Sequence, residues 1–111
     1  MNALTTHVLD TSLGKPASGV TVLLACLSGG SWRTVGRGVT DADGRCRALL
    51  GKAPLRRGTY RLTFGVAAYF KKTKRVAFYP SVAVEFNVRD MSHHHVPLLL
   101  SPWGYSTYRG S

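Results

Sequence analysis

Four histidines carry the most versatile chemistry in the sequence, and they are unevenly placed: His7 near the start, then His93, His94 and His95 together. Imidazole is the one side chain that gives and takes protons near neutral pH without a large pKa shift. On an extended strand His93 and His95 point to one face and His94 to the other. Nucleophile motifs are missing, since there is no G-x-S-x-G and no paired-carboxylate pattern. Arg45 follows directly on Asp41-Ala42-Asp43-Gly44 and adds a planar cation. Such a group can hold a carboxylate or an anionic heterocycle through two hydrogen bonds. The sequence closes on Gly104-Tyr105-Ser106-Thr107-Tyr108-Arg109-Gly110-Ser111, polar, aromatic and rich in hydrogen-bond donors.

Each feature also has a plainer structural reading. A lone histidine is most often a hydrogen-bonded, partly buried side chain. Arg45 is as readily a surface arginine after a turn, and the terminal segment as readily an edge strand. His7, His93 and His95 have the composition of a three-histidine zinc site. Cofactor-free chemistry ranks above it, because no carboxylate lies within two positions of them in sequence to orient metal-bound rings. Asp41-Ala42-Asp43-Gly44 opens like a calcium loop, but Arg45 stands at the third ligand position and the closing glutamate is missing. No metal and no cofactor is expected.

The elements that must position these groups are strands. Period-two alternation marks residues 4–9, 32–40, 59–64 and 82–88, and 20–27 is a nearly continuous apolar run of strand length. Shorter strands are expected at 45–50, 96–100 and 105–109, the last two joined by Ser101-Pro102-Trp103-Gly104. Asp41 to Gly44 is a turn by composition. The one convincing helix runs from 66 to about 74, with Val66, Tyr69 and Phe70 on one face and lysines on the other. Seven or eight short strands and one helix predict an all-β sandwich, mostly antiparallel, forming a single domain over residues 1–111.

Composition agrees. A chain of 111 residues is the size of one domain, and 44% hydrophobic with 18% charged residues is a globular balance. Fifteen Lys and Arg against five Asp and Glu give +10, a field that gathers anions of any kind. Lys71, Lys72, Lys74 and Arg75 form the one dense basic group, read as a solvated helix face. No zinc-finger or RNP-like spacing accompanies it, so nucleic acid is not the expected partner. No apolar run reaches the ~20 residues a membrane span needs. Cys26, in an apolar run, reads as a buried hydrophobe, and two unpatterned cysteines suit a reducing compartment. Cytoplasm is the expected location, with peroxisome and periplasm as alternatives.

The residues then resemble a known family. Leu4-Thr5-Thr6-His7-Val8-Leu9-Asp10-Thr11, Gly14-Lys15-Pro16-Ala17, Thr40-Asp41-Ala42-Asp43-Gly44-Arg45, His95-Val96-Pro97-Leu98-Leu99-Leu100-Ser101-Pro102 and Tyr108-Arg109-Gly110-Ser111 stand in order along the whole length. Together they are similar to the 5-hydroxyisourate hydrolases of the transthyretin-like family, cyclic amide hydrolases of urate breakdown. The terminal tetrapeptide separates these from hormone-carrying transthyretins. The resemblance implies a transthyretin-like sandwich of two four-stranded sheets with one short helix. It also implies a homotetramer, a dimer of dimers with active sites at the dimer–dimer interface. The implied catalytic residues are His7, Arg45, His95 and Ser111, with His7, Arg45 and Tyr108 binding substrate. The substrate would be an anionic purine derivative, opened to 2-oxo-4-hydroxy-4-carboxy-5-ureidoimidazoline by histidine-activated water. The family usually has His-Tyr-His where this chain has His93-His94-His95. A non-catalytic small-ligand carrier on the same fold is the alternative.

Overall fold

Residues Leu4–Asp10 (β1) bury Leu4, Thr6, Val8 and Asp10 and leave Thr5, His7 and Leu9 half-exposed, the pattern of a strand with one face on a core. The same alternation builds Gly58–Phe64 (β6), whose Tyr60, Leu62 and Phe64 point inward. The computed structural model describes residues 3–110. Its further strands are Lys15–Pro16 (β2), Thr21–Ser28 (β3), Ser31–Val39 (β4), Arg45–Cys46 (β5), Val82–Val88 (β7), His94–Ser101 (β8) and Gly104–Thr107 (β9). One sheet runs β2-β1-β8-β9 with β5 also paired to β1, and the other runs β4-β3-β6-β7. The expected sandwich of two four-stranded sheets is thus present, with the short β5 added to the first.

Between the sheets lie Val8, Val22, Leu24, Leu62, Phe64 and Leu98, all fully buried. Burying one such side chain stabilises the fold by about 1.5–3 kcal/mol. The helix Val66–Lys72 (α1) joins β6 to β7 and packs Val66, Tyr69 and Phe70 onto this core. It ends earlier than the pattern predicts, because Lys74 turns left-handed at φ 60° and the Arg75 N–H closes back on Phe70 O. Arg75 departs from the expected solvated face. Its guanidinium reaches the fully buried Asp10 at 2.6 Å, beside the Tyr69 hydroxyl at 2.7 Å.

Two more expectations change. The strand expected at 45–50 stops after Cys46, because the following segment folds over β4. Leu49 is buried there, and its carbonyl occupies the space a Cβ on Gly36 would need. Cys26 is only half-buried, and Cys46 is the buried thiol.

One pairing matters most for function. β1 and β8 run parallel, which sets Thr5 opposite His95 and His7 opposite Pro97. Sequence positions about 90 apart thereby become neighbours on the outer face of the first sheet.

Candidate active site

The segment Asp41 to Gly44 is a self-bonded turn. Asp41 Oδ1 accepts from the backbone N–H groups of Asp43 and Arg45, and Gly44 N–H donates to Asp41 O. Gly44 lies at φ +76°, and a Cβ there would meet Val8 O at 2.4 Å. Only glycine lets the turn come this close to β1. Closure of the turn puts Arg45 directly across from His7. It also brings Asp43 O to 2.8 Å from His7 Nε2. A carbonyl only accepts, so His7 Nε2–H is the donor of this bond.

His95 sits on the neighbouring strand, half-buried, its Nδ1 2.8 Å from Thr5 Oγ1. The same hydroxyl lies 3.0 Å from Nε2 of the exposed His93. His95 Nε2 has no protein partner among the described residues. Burial first, then the charges of Arg45, His7 and His93, hold the His95 pKa below its ordinary 6.5. His95 is therefore an uncharged imidazole at neutral pH and fit to accept a proton.

A shallow pocket of about 240 Å³ opens here, lined by Thr5, Thr6, Arg45, Arg47, His93 and His95. Arg47 is held at its edge by Asp41, 3.2 Å away. Two guanidinium groups give this pocket a field that suits an anion, and the uncharged His95 imidazole stands beside them. No three His, Cys, Asp or Glu side chains gather as metal ligands among the described residues.

Of the residues expected in the site, His7, Arg45 and His95 come together. Tyr108 is exposed and lines a separate groove with Phe86, His94 and Val96. Ser111 lies outside the described residues. The tail is nonetheless tied to the site, since Gly110 N–H donates to His95 O at 2.7 Å. A Cβ on Gly110 would meet the His95 ring at 2.5 Å. His94 faces inward, with Nδ1 donating to Ser92 O, and takes no part. Sequence reasoning missed Thr5 and Arg47, although each stands two positions from a residue it did select.

Fold and site together define a transthyretin-like sandwich with an imidazole and guanidinium cluster on the outer face of one sheet. The family model described as HIUase/Transthyretin matches residues 4–110, and the chain belongs to that family. A 5-hydroxyisourate hydrolase of Deinococcus radiodurans is 51% identical, covering 97% of this chain and 95% of that one. The solved Klebsiella pneumoniae 5-hydroxyisourate hydrolase matches at TM-score 0.88 and 40% identity over 100% of both chains. Sea bream transthyretin in complex with thyroxine matches at TM-score 0.92 and 30% identity, over 97% of this chain and 94% of that one. Backbone similarity alone does not divide hydrolase from carrier; sequence identity favours the hydrolases.

Proposed function

We propose that this chain, as one domain over residues 1–111, hydrolyses 5-hydroxyisourate. The observation that carries this reading is that Arg45 and His95 line one pocket with His7 directly across the ladder from Arg45, and that among the described residues His7 and His95 each bond protein through one ring nitrogen only. Arg45 anchors the anionic substrate. The two imidazoles position a water and take its proton as its oxygen bonds to a ring lactam carbonyl. Arg45 and Arg47 then face the developing oxyanion, the carbon–nitrogen bond breaks, and the ring nitrogen receives a proton. A positioned base contributes about 10²–10⁴-fold, and an oxyanion donor a comparable factor.

The proposed assembly is a homotetramer with sites at the dimer–dimer interface. Its support is twofold. The pocket is shallow, which a facing copy would deepen, and among the described residues β7 and β9 are edge strands that line one groove and so lie on the same side of the sandwich. Tyr108 binds substrate in that assembly, and Ser111 keeps its proposed catalytic place. No helix among the described residues is long and apolar enough to cross a membrane. With free thiols at Cys26 and Cys46, cytoplasm is the compartment we propose.

The carrier reading draws on the close backbone match to the thyroxine complex, yet a carrier has no use for free imidazole nitrogens beside Arg45. One assay separates the two. 5-Hydroxyisourate is generated in situ from urate and its absorbance decay is followed with and without the protein. Accelerated decay, unchanged by a chelator, is expected; decay at the buffer rate with tight binding of an aromatic carboxylate would establish the carrier.

A further inference from the structure

Thr5 Oγ1 stands between two imidazoles, 2.8 Å from His95 Nδ1 and 3.0 Å from His93 Nε2. The rings lie nearly parallel, 17° apart, with centroids separated by 6.4 Å. A threonine hydroxyl has one proton to give. It can therefore donate to only one of the two rings, while its two lone pairs can accept from either. A continuous chain forms when one ring donates to Thr5 and the other accepts from it, either from His95 to His93 or in reverse. His93 is exposed while His95 is half-buried, so the chain leads from the pocket to solvent.

We propose that Thr5 is a positioning residue at the centre of a proton relay that links His95 to solvent through His93. The proposal rests on the hydrolase reading, with His95 as the base. At rest His95 is protonated at Nδ1 and its Nε2 lone pair faces the pocket. The attacking water loses an O–H bond as its oxygen bonds to the carbonyl carbon, and that proton goes to His95 Nε2. Concertedly the Nδ1 proton passes to Thr5 Oγ1 and the threonine proton to His93 Nε2. His93, now cationic and in water, sheds its Nδ1 proton. When the carbon–nitrogen bond breaks, His95 Nε2 gives its proton to the leaving nitrogen. The relay then runs backward: the hydroxyl proton returns to His95 Nδ1, His93 Nε2–H restores the hydroxyl, and His93 regains a proton at Nδ1 from solvent. Atoms balance as one water added across the bond. His95 never holds a net positive charge beside Arg45, where burial and like charge oppose it.

The test combines kinetics with nitrogen NMR on the whole protein. Thr5→Val, of the same shape but without the hydroxyl, should lower kcat about 10- to 100-fold and leave KM within about twofold. Thr5→Ser should restore most of kcat, an outcome a packing role for the threonine methyl does not give. His93→Leu should match Thr5→Val, and the double variant should be no slower than either single one, because both cut the same chain. Independently of turnover, the unaltered protein should show His95 as the Nδ1–H tautomer, lost in Thr5→Val. Full kcat in Thr5→Val, multiplicative losses in the double variant, or an Nε2–H tautomer in the unaltered protein would each overturn the relay. Absence of turnover by the unaltered protein would instead overturn the hydrolase reading and leave the tautomer measurement to decide the hydrogen-bond sense.

Discussion

Each imidazole proposed to act on the substrate is prepared by what one of its nitrogens touches. His7 is fixed by a backbone carbonyl, a partner that cannot be protonated away, whereas His95 is fixed by a hydroxyl that can reverse its bond. Replacing His95 with Asn should lower kcat by about 10²–10⁴-fold while leaving the thermal midpoint nearly unchanged. The pH dependence follows from the lowered pKa of His95. A base acts unprotonated, so activity persists as pH falls through 6.5 and the acid limb of kcat/KM lies below that value. Burial is the first cause of the shift and the Arg45 charge the second. Arg45→Gln should therefore move the limb upward as well as raise KM, and a pH–rate profile of the variant checks both. His7, Arg45 and His95 were legible in the sequence because their residue types announce their chemistry. Thr5 was not, because a threonine on a strand says nothing until its neighbour across the ladder is known.

At the scale of elements, the turn before β5 brings Arg45 across from His7, and the half-buried Arg75 pairs with the buried Asp10 at the end of β1. Burial alone would raise the Asp10 pKa, but hydrogen bonds from Arg75, Ser12 and Tyr69 outweigh it and bring the value down from 3.8 to about 2. A depressed carboxyl pKa stabilises the fold above the unfolded value and stops doing so as pH falls through the folded one. Asp10 should thus contribute about 2.5 kcal/mol at neutral pH, lost between about pH 4 and pH 2. Denaturant titrations of the unaltered protein and Asp10→Asn over that range should converge at the acid end. Gly110 is a second element-scale test. Gly110→Val must push the tail off the His95 ring, and a kcat loss of about 10-fold or more with unchanged melting is expected. Strands β1, β6 and β7 were readable because each buries one face against the core. The shortened β5 was not, since its end is set by Leu49 crossing Gly36, a contact that local alternation does not encode. Nor was the parallel β1–β8 pairing, which depends on how distant segments close the sandwich.

For the whole molecule, the proposed reading makes charge and assembly decide how substrate reaches the site. The net charge of +10, with Arg45 and Arg47 at the pocket, should draw an anion in and be screened by salt. KM should rise several-fold between low and physiological ionic strength while kcat stays level. If the site is completed by a facing copy, specific activity should fall with dilution in step with dissociation measured by sedimentation. An equally active monomer would remove the tetramer from the account.

The central claim is that His7, Arg45 and His95 act together on a water at one pocket. It is tested most directly by kcat/KM for 5-hydroxyisourate in the unaltered protein and in His95→Asn, measured side by side with folding checked by circular dichroism. The account predicts rapid turnover in the first and a loss of at least about 10²-fold in the second, both equally folded. Equal rates in the two proteins, or no rate above buffer in either, would contradict it.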